Sequence, residues 1–379
     1  MFMRYRDFFI PDNALLPQQT PWQRWHLDPW LILLLLALCV LGLTVLYSAS
    51  AQNSALVLRQ MVSYGIAFIV MLMMAWIPPS VYRALTPLFY VMGLVLLVAV
   101  AVIGEVRMGA QRWIRLPGFG SVQPSEFMKL GMPMMCAWWL SKRPQPLSWA
   151  AIIGSLMLIV LPAALIAKQP DLGTALLVAA SGMFVLFLAG LSWSLIAGAL
   201  LLSIPLATFA WYFLLHEYQH QRVLTLLNPD ADVQGAGWNI IQSKTAIGAG
   251  GVFGKGYLDG TQSHLAFLPE SHTDFVIAAF SEEFGLLGVL TLLLLYAGLL
   301  ARALYIAAQH PDSYCRLLAG AIAMSFFIYV FVNMGMVSGI LPVVGVPLPF
   351  ISYGGTAVVT LMAGFGLLMS IHTHPNYQE

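Results

Sequence analysis

The chain has 379 residues, 60% of them hydrophobic and 9% charged, with a formal net charge of +1. About a quarter of a soluble domain is charged, so a mean hydropathy of +0.82 excludes water as the main solvent. The near-neutral pI of about 7.8 gives no polyanion-binding signature, which argues against nucleic acid as a partner.

A helix that crosses a bilayer needs about 20 apolar residues. Apolar runs between polar punctuation predict ten such helices, over 29–49, 58–77, 87–104, 125–141, 149–167, 173–190, 194–214, 275–300, 317–337 and 355–371. The expected fold class is therefore an all-α integral membrane protein: one polytopic domain over 28–373, with tails over 1–27 and 374–379. The first 25 residues are polar and the first apolar run is a full-length span, so no cleavable signal is expected. Cys39, Cys136 and Cys315 have neither metal nor disulfide spacing and read as packing residues. An even number of spans puts both termini on one side. With cytoplasmic termini, eight cations fall inside and nine outside, which leaves orientation open on charge alone. Those cations cluster over 105–129 and 215–274, and an anionic ligand is one reason for them to do so.

In chain order, the first polar cluster is Gln111-Arg112-Trp113-Ile114, followed by Gln123-Pro124-Ser125-Glu126 and Lys129. Glu126 and Lys129 are three apart and share a helix face, which suits an ion pair. Arg112 beside Trp113 suits either a phosphate and a sugar ring or an interfacial anchor. Next, Gln169-Pro170-Asp171-Leu172-Gly173-Thr174 joins two spans; Pro170 interrupts the helix, and Asp171 or Thr174 can cap the next one. A loop of about 60 residues over 215–274 follows the seventh span, and loops of that length are commonly functional or disordered. Its apolar residues and its glycine-rich stretch over 248–256 predict a folded lid against the membrane surface.

The densest cluster runs over 269–283. Asp274 stands where the loop becomes the eighth span, so it is either a helix cap or a general base at the water–membrane boundary. Glu282 and Glu283 lie two turns further in. Ionisable residues within a span are costly and usually functional, and two adjacent glutamates face different ways. Last, three prolines and several glycines over 339–355 exclude a regular helix in an apolar segment. Such backbone persists at membrane depth only under cover, which predicts a re-entrant loop lining a site. These residues by themselves do not separate an enzyme from a transporter.

The motifs Gln111-Arg112-Trp113, Gln123-Pro124-Ser125-Glu126, Gln169-Pro170-Asp171-Leu172-Gly173-Thr174, Gln242-Ser243-Lys244, Gly260-Thr261-Gln262-Ser263, Pro269-Glu270-Ser271-His272-Thr273-Asp274-Phe275, Gly335-Met336-Val337-Ser338-Gly339 and Pro347-Leu348-Pro349 resemble the SEDS family (shape, elongation, division and sporulation), in its RodA-type elongation branch. The resemblance covers about residues 28–373. It implies ten transmembrane helices with cytoplasmic termini and an extracytoplasmic loop between helices seven and eight, in the bacterial inner membrane. It also implies an inverting glycosyltransferase, its site facing the periplasm, that polymerises lipid II during elongation and releases undecaprenyl pyrophosphate. The implied partners are a class B penicillin-binding protein and other membrane proteins of the elongation complex. Asp274 takes the place of the family's essential aspartate, Trp113 that of its functional tryptophan, and Glu126 with Lys129 that of its ion pair. On this reading Asp274 is the general base for the acceptor hydroxyl. Arg112, Arg222 and Lys244 join Trp113 in binding substrate, and Glu126, Lys129, Asp171, Glu282 and Glu283 shape the cavity. No resident metal is expected among these residues; Mg²⁺ or Mn²⁺ on the pyrophosphate stays open as a cofactor. A lipid II flippase and a non-catalytic transpeptidase scaffold are the competing functions.

Overall fold

The computed structural model describes residues 21–107, 110–116, 120–213, 217–232, 235–260 and 272–374. Most of both predicted tails, and the stretches 261–263 and 269–271 of two motifs, lie outside the described residues.

A single turn, α1 (Pro21–Arg24), leads into α2 (Pro29–Ala49), α3 (Ser54–Trp76) and α4 (Pro79–Ile103). Three short strands follow, β1 (Glu105–Arg107), β2 (Ala110–Leu116) and β3 (Gly120–Val122), then α5 (Pro124–Ser141), α6 (Trp149–Lys168), α7 (Leu172–Leu188) and α8 (Trp193–Phe213). The long loop holds α9 (Glu217–Leu227), a 3-10 turn (Pro229–Ala231) and α10 (Ala236–Gly250). The chain ends with α11 (Val276–Gln309), α12 (Ser313–Val337) and α13 (Gly355–Thr373). Among the described residues, eight helices are long and apolar enough to cross a membrane: α2, α3, α4, α6, α8, α11, α12 and α13. At 17 residues, α7 is shorter, and α5 carries the Glu126 and Lys129 charges.

Three expectations need correction. The fold is mostly helical rather than all-α, because β1, β2 and β3 form an antiparallel sheet in the order β1-β2-β3. The run Gln111-Arg112-Trp113-Ile114 lacks the two-residue polar–apolar alternation of a half-buried strand, so the local pattern does not announce the sheet. The third span begins at Pro79 rather than near 87, since Pro87 is accommodated inside α4. The eighth runs to Gln309 and is broken at Gly285, whose φ of +63° and ψ of −163° are not helical.

The core is built by α13 on α3, α12 on α11 and α7, and α5 between α4 and α7. The second half of the irregular segment over 339–354 is buried against it, with Phe350 and Ile351 at 0% and 1% exposure, while Ile340 and Gly345 stay exposed. Its carbonyls take side-chain donors: Tyr64 Oη donates to Phe350 O and Tyr296 Oη to Pro349 O, both at 2.7 Å. Ser352 Oγ accepts from Leu348 N at 2.8 Å. Tertiary partners thus satisfy the backbone that helix formation would otherwise have satisfied.

Candidate active site

Pro124 occupies the first helical position of α5, where its missing N–H costs nothing. Gln123, just before it, does not cap the helix; its Nε2 donates to Asp171 Oδ2 at 3.1 Å. One turn on, Lys129 Nζ meets Glu126 Oε1 at 2.5 Å, with both side chains about one-tenth exposed. The ammonium also lies 5.1 Å from the ring centre of Tyr329 on α12. Such a pair is expensive to split, because either charge left alone in this setting has no solvent to stabilise it. Glu126, Lys129, Tyr329 and Ser352 line one cleft between α5, α12 and α13, with an enclosed volume of about 50 Å³.

Asp171 caps α7, accepting from Thr174 N at 3.3 Å. Arg112 reaches this corner from β2: Nε donates to Gln169 O at 3.2 Å, Nη2 donates to Pro170 O, and Nη1 lies 3.8 Å from Asp171 Oδ1. Arg112, Gln123 and Asp171 therefore tie the sheet, the start of α5 and the start of α7 together. The following residue on β2, Trp113, pairs with Glu105 in the register and is half-buried.

Asp274 lies in a turn ahead of α11 and is half-buried. It is not the helix cap: Phe275 holds that position, and no side chain bonds there. The turn rests on α12 and on the 339–354 segment. Asn333 Nδ2 donates to Asp274 O at 2.9 Å and to Val346 O at 2.7 Å, and Tyr353 N donates to His272 O at 2.9 Å. Gly345 has φ +74°, and a methyl group built on it would lie 3.4 Å from Asp274 Oδ2. The same segment presses its Val344 carbonyl on Gly173 at the start of α7 and its Gly339 under Lys244 of α10. A methyl group on Gly339 would fall 2.6 Å from Lys244 Nζ. One irregular segment thus brings the Asp274 turn, the Asp171 corner and Lys244 to a common support. Arg222 stands half-buried on α9, which packs on α10 and the 3-10 turn.

Glu282 and Glu283 are both buried, at 0% and 2% exposure. Glu282 Oε1 holds Lys255 Nζ at 2.7 Å, and Glu283 Oε1 accepts from Ser48 Oγ on α2. The backbone around them explains the glycine-rich stretch. In an unbroken helix, Leu286 N and Leu287 N would bond Glu282 O and Glu283 O. Here Lys255 N and Gly256 N donate to those carbonyls at 3.0 and 3.1 Å, while Leu286 N and Leu287 N donate to Gly251 O and Val252 O at 3.0 and 3.1 Å. The loop after α10 is inserted into the break at Gly285, replacing both lost hydrogen bonds on each side. A methyl group on Gly254 would lie 2.0 Å from Glu283 O, so the insertion needs glycine there.

Sequence reasoning passes over Tyr329, Asn333 and the Gln123–Asp171 bond. A carboxamide one turn from the end of an apolar span was a readable signal for Asn333; nothing local marks Tyr329.

The profile of the FtsW/RodA/SpoVE family, described as cell cycle protein, matches residues 29–377. The peptidoglycan glycosyltransferase MrdB of Escherichia coli K12 is 51% identical over 357 residues, 94% of this chain and 96% of that one. A chain from a peptidoglycan synthase complex, solved to show how polymerization and crosslinking are coordinated, superposes with a TM-score of 0.81 at 32% identity. That match covers 93% of this chain and 99% of the other. The rod shape determining protein RodA of Thermus thermophilus gives a TM-score of 0.68 at 30% identity, over 91% and 96% of the two chains.

Proposed function

The chain belongs to the FtsW/RodA/SpoVE family of cell cycle proteins, and on that premise we propose that Asp274 is the base with which this peptidoglycan glycosyltransferase activates its acceptor. The observation that carries the reading is the placement of Asp274. It is a half-buried carboxylate outside the helix, in a turn supported by the 339–354 segment, which also contacts Lys244 and, near Asp171, Gly173. A sugar hydroxyl is a poor nucleophile until a base takes its proton. Attack on the α-linked anomeric carbon of lipid II forms the β-glycosidic bond and breaks the bond to undecaprenyl pyrophosphate. The hydroxyl proton passes to Asp274. One displacement inverts the centre, so no covalent intermediate is required.

The leaving pyrophosphate gathers negative charge, and cations near it lower the barrier most where water is scarce. Lys244, over Gly339, suits that task. Arg112 is bonded to the carbonyls of Gln169 and Pro170, and Lys129 to Glu126, so both act in our reading by holding the cleft's shape. Trp113 offers a ring for a sugar face, and Arg222 a second cation from the loop. Among the described residues, the only three ligand atoms of His, Cys, Asp or Glu that converge belong to His310, Asp312 and Cys315, at the opposite end of α11 from Asp274. Among the described residues, no such group of three converges at Asp274, and the displacement proposed here uses only protein side chains.

The same reading has ten crossings, α5 and α7 included, with residues 1–27 and 374–379 in the cytoplasm and 215–274 outside the inner membrane. The partner is a class B penicillin-binding protein, supported by the likeness to a chain of a synthase complex. The test is glycan polymer formed from lipid II by the purified complex. Asp274→Asn keeps the shape but cannot take the proton, so a loss of about 10²–10⁴-fold is expected with thermal stability retained. A rate within a few-fold of the parent would make the base assignment wrong.

A further inference from the structure

We propose that Asn333 is a positioning residue for Asp274, clamping the turn that carries the carboxylate to the irregular segment over 339–354. This rests on the reading of Asp274 as the base.

Asn333 is fully buried in α12. A carboxamide there is costly, the more so because its Oδ1 is buried with no hydrogen-bond partner among the described residues, and an aliphatic side chain of similar shape would pack without that cost. Its Nδ2 spends both hydrogens on main-chain carbonyls, Asp274 O at 2.9 Å and Val346 O at 2.7 Å. That arrangement also fixes the orientation of the amide, because Oδ1 turned toward the same two carbonyls would repel both. Asp274 and Val346 belong to segments on either side of α12 in the chain, and the amide bonds to both. Val346 follows Gly345, the residue whose α-carbon faces Asp274 Oδ2. Loss of the amide therefore frees the carboxylate's own main chain and the wall opposite its side chain together. The Tyr353 N to His272 O bond still anchors the turn two residues upstream, so the expected effect is a displaced carboxylate rather than an unfolded turn.

A shift of about 1 Å in a reacting group can cost about 100-fold in rate. Asn333→Leu keeps the branched four-atom shape, at a somewhat larger volume, and removes both donors. Asn333→Asp puts oxygens against the two carbonyls and retains one donor only when protonated. In the complex with its transpeptidase partner, both should lower kcat for polymer formation about 10- to 100-fold. The KM for lipid II and the melting temperature should stay near the parent's. Asp274→Asn and the double variant complete the cycle. If Asn333 acts through Asp274, Asn333→Leu should add little to the loss already caused by Asp274→Asn. Full multiplicative losses, a parental kcat in Asn333→Leu, or failure of both Asn333 variants to fold would overturn the proposal. Near-parental polymerisation by Asp274→Asn is a different result: it removes the base reading itself, and this proposal with it.

Discussion

Lys129 and Glu126 face each other at 2.5 Å with almost no solvent around them. Removing one partner strands the other charge, at a typical cost of 3–5 kcal/mol for a buried pair. Either single neutralisation should therefore abolish polymer formation and lower the yield of folded protein. The exchange Glu126→Lys with Lys129→Glu should recover substantial activity where both single reversals fail. Equal failure of all three would show that more than pairing is at stake. Tyr329 sets a limit on that recovery, because its ring face attracts the ammonium and would meet a carboxylate in the swapped protein. Gly345 gives a second test at this scale. Its φ of +74° disfavours any side chain, and a methyl group would stand 3.4 Å from Asp274 Oδ2. Gly345→Ala should cost more in kcat than in melting temperature, measured on the same preparation.

The element with the most unusual construction is α11. Its break at Gly285 is filled by the loop after α10, and four main-chain hydrogen bonds join the two. The extracytoplasmic reading of α10 makes this a mechanical link from the loop to α11 and, through Glu283 and Ser48, to α2. Gly254→Ala places a methyl group 2.0 Å from Glu283 O at a φ of +80°, so the insertion must loosen. Hydrogen exchange at Lys255, Gly256, Leu286 and Leu287 should rise in this variant, with a lower melting temperature. Unchanged protection at those four amides would show that the loop does not depend on glycine.

For the whole molecule, ion pairs tie helices together at the end of the bundle where α2 and α12 begin. Arg302 of α11 grips Asp28, the cap of α2, at 2.9 and 2.7 Å. Arg83 of α4 binds Asp312, the cap of α12. Burial raises the Asp312 pKa, but the Arg83 hydrogen bond and the Cys315 N–H together outweigh it and hold the carboxyl below its usual range. A depressed carboxylate contributes stability above its unfolded pKa of about 3.9 and loses it as pH falls through the lower, folded value. Both side chains are about two-fifths exposed, so the pair is worth at most about 1 kcal/mol. Arg83→Ala should lower the melting temperature by about one degree at pH 7, and the gap from the parent should close in acid below the carboxylate range. The partner is tested at this scale too: polymer formation should rise strongly when the class B penicillin-binding protein is added. Full activity of the isolated chain, unchanged by the partner, would remove that dependence.

The eight long apolar helices among the described residues were legible in the sequence because the bilayer's demand is local: about 20 apolar residues that satisfy their own backbone. The irregular character of 339–354 was legible too, since proline and glycine act where they stand. Motif chemistry singled out Asp274, Glu126, Lys129 and Asp171, and spacing alone suggested that Glu126 meets Lys129. Tertiary structure decided what local pattern cannot hold. It turned Arg112 onto an interhelical corner 57 and 58 residues away, and it brought Asn333 to Asp274 across 59 residues. It also set the loop of α10 into the break at Gly285. Each of these contacts satisfies a polar group left over where regular structure stops. The partner of such a group depends on which surfaces packing brings together, and no window of sequence contains that information.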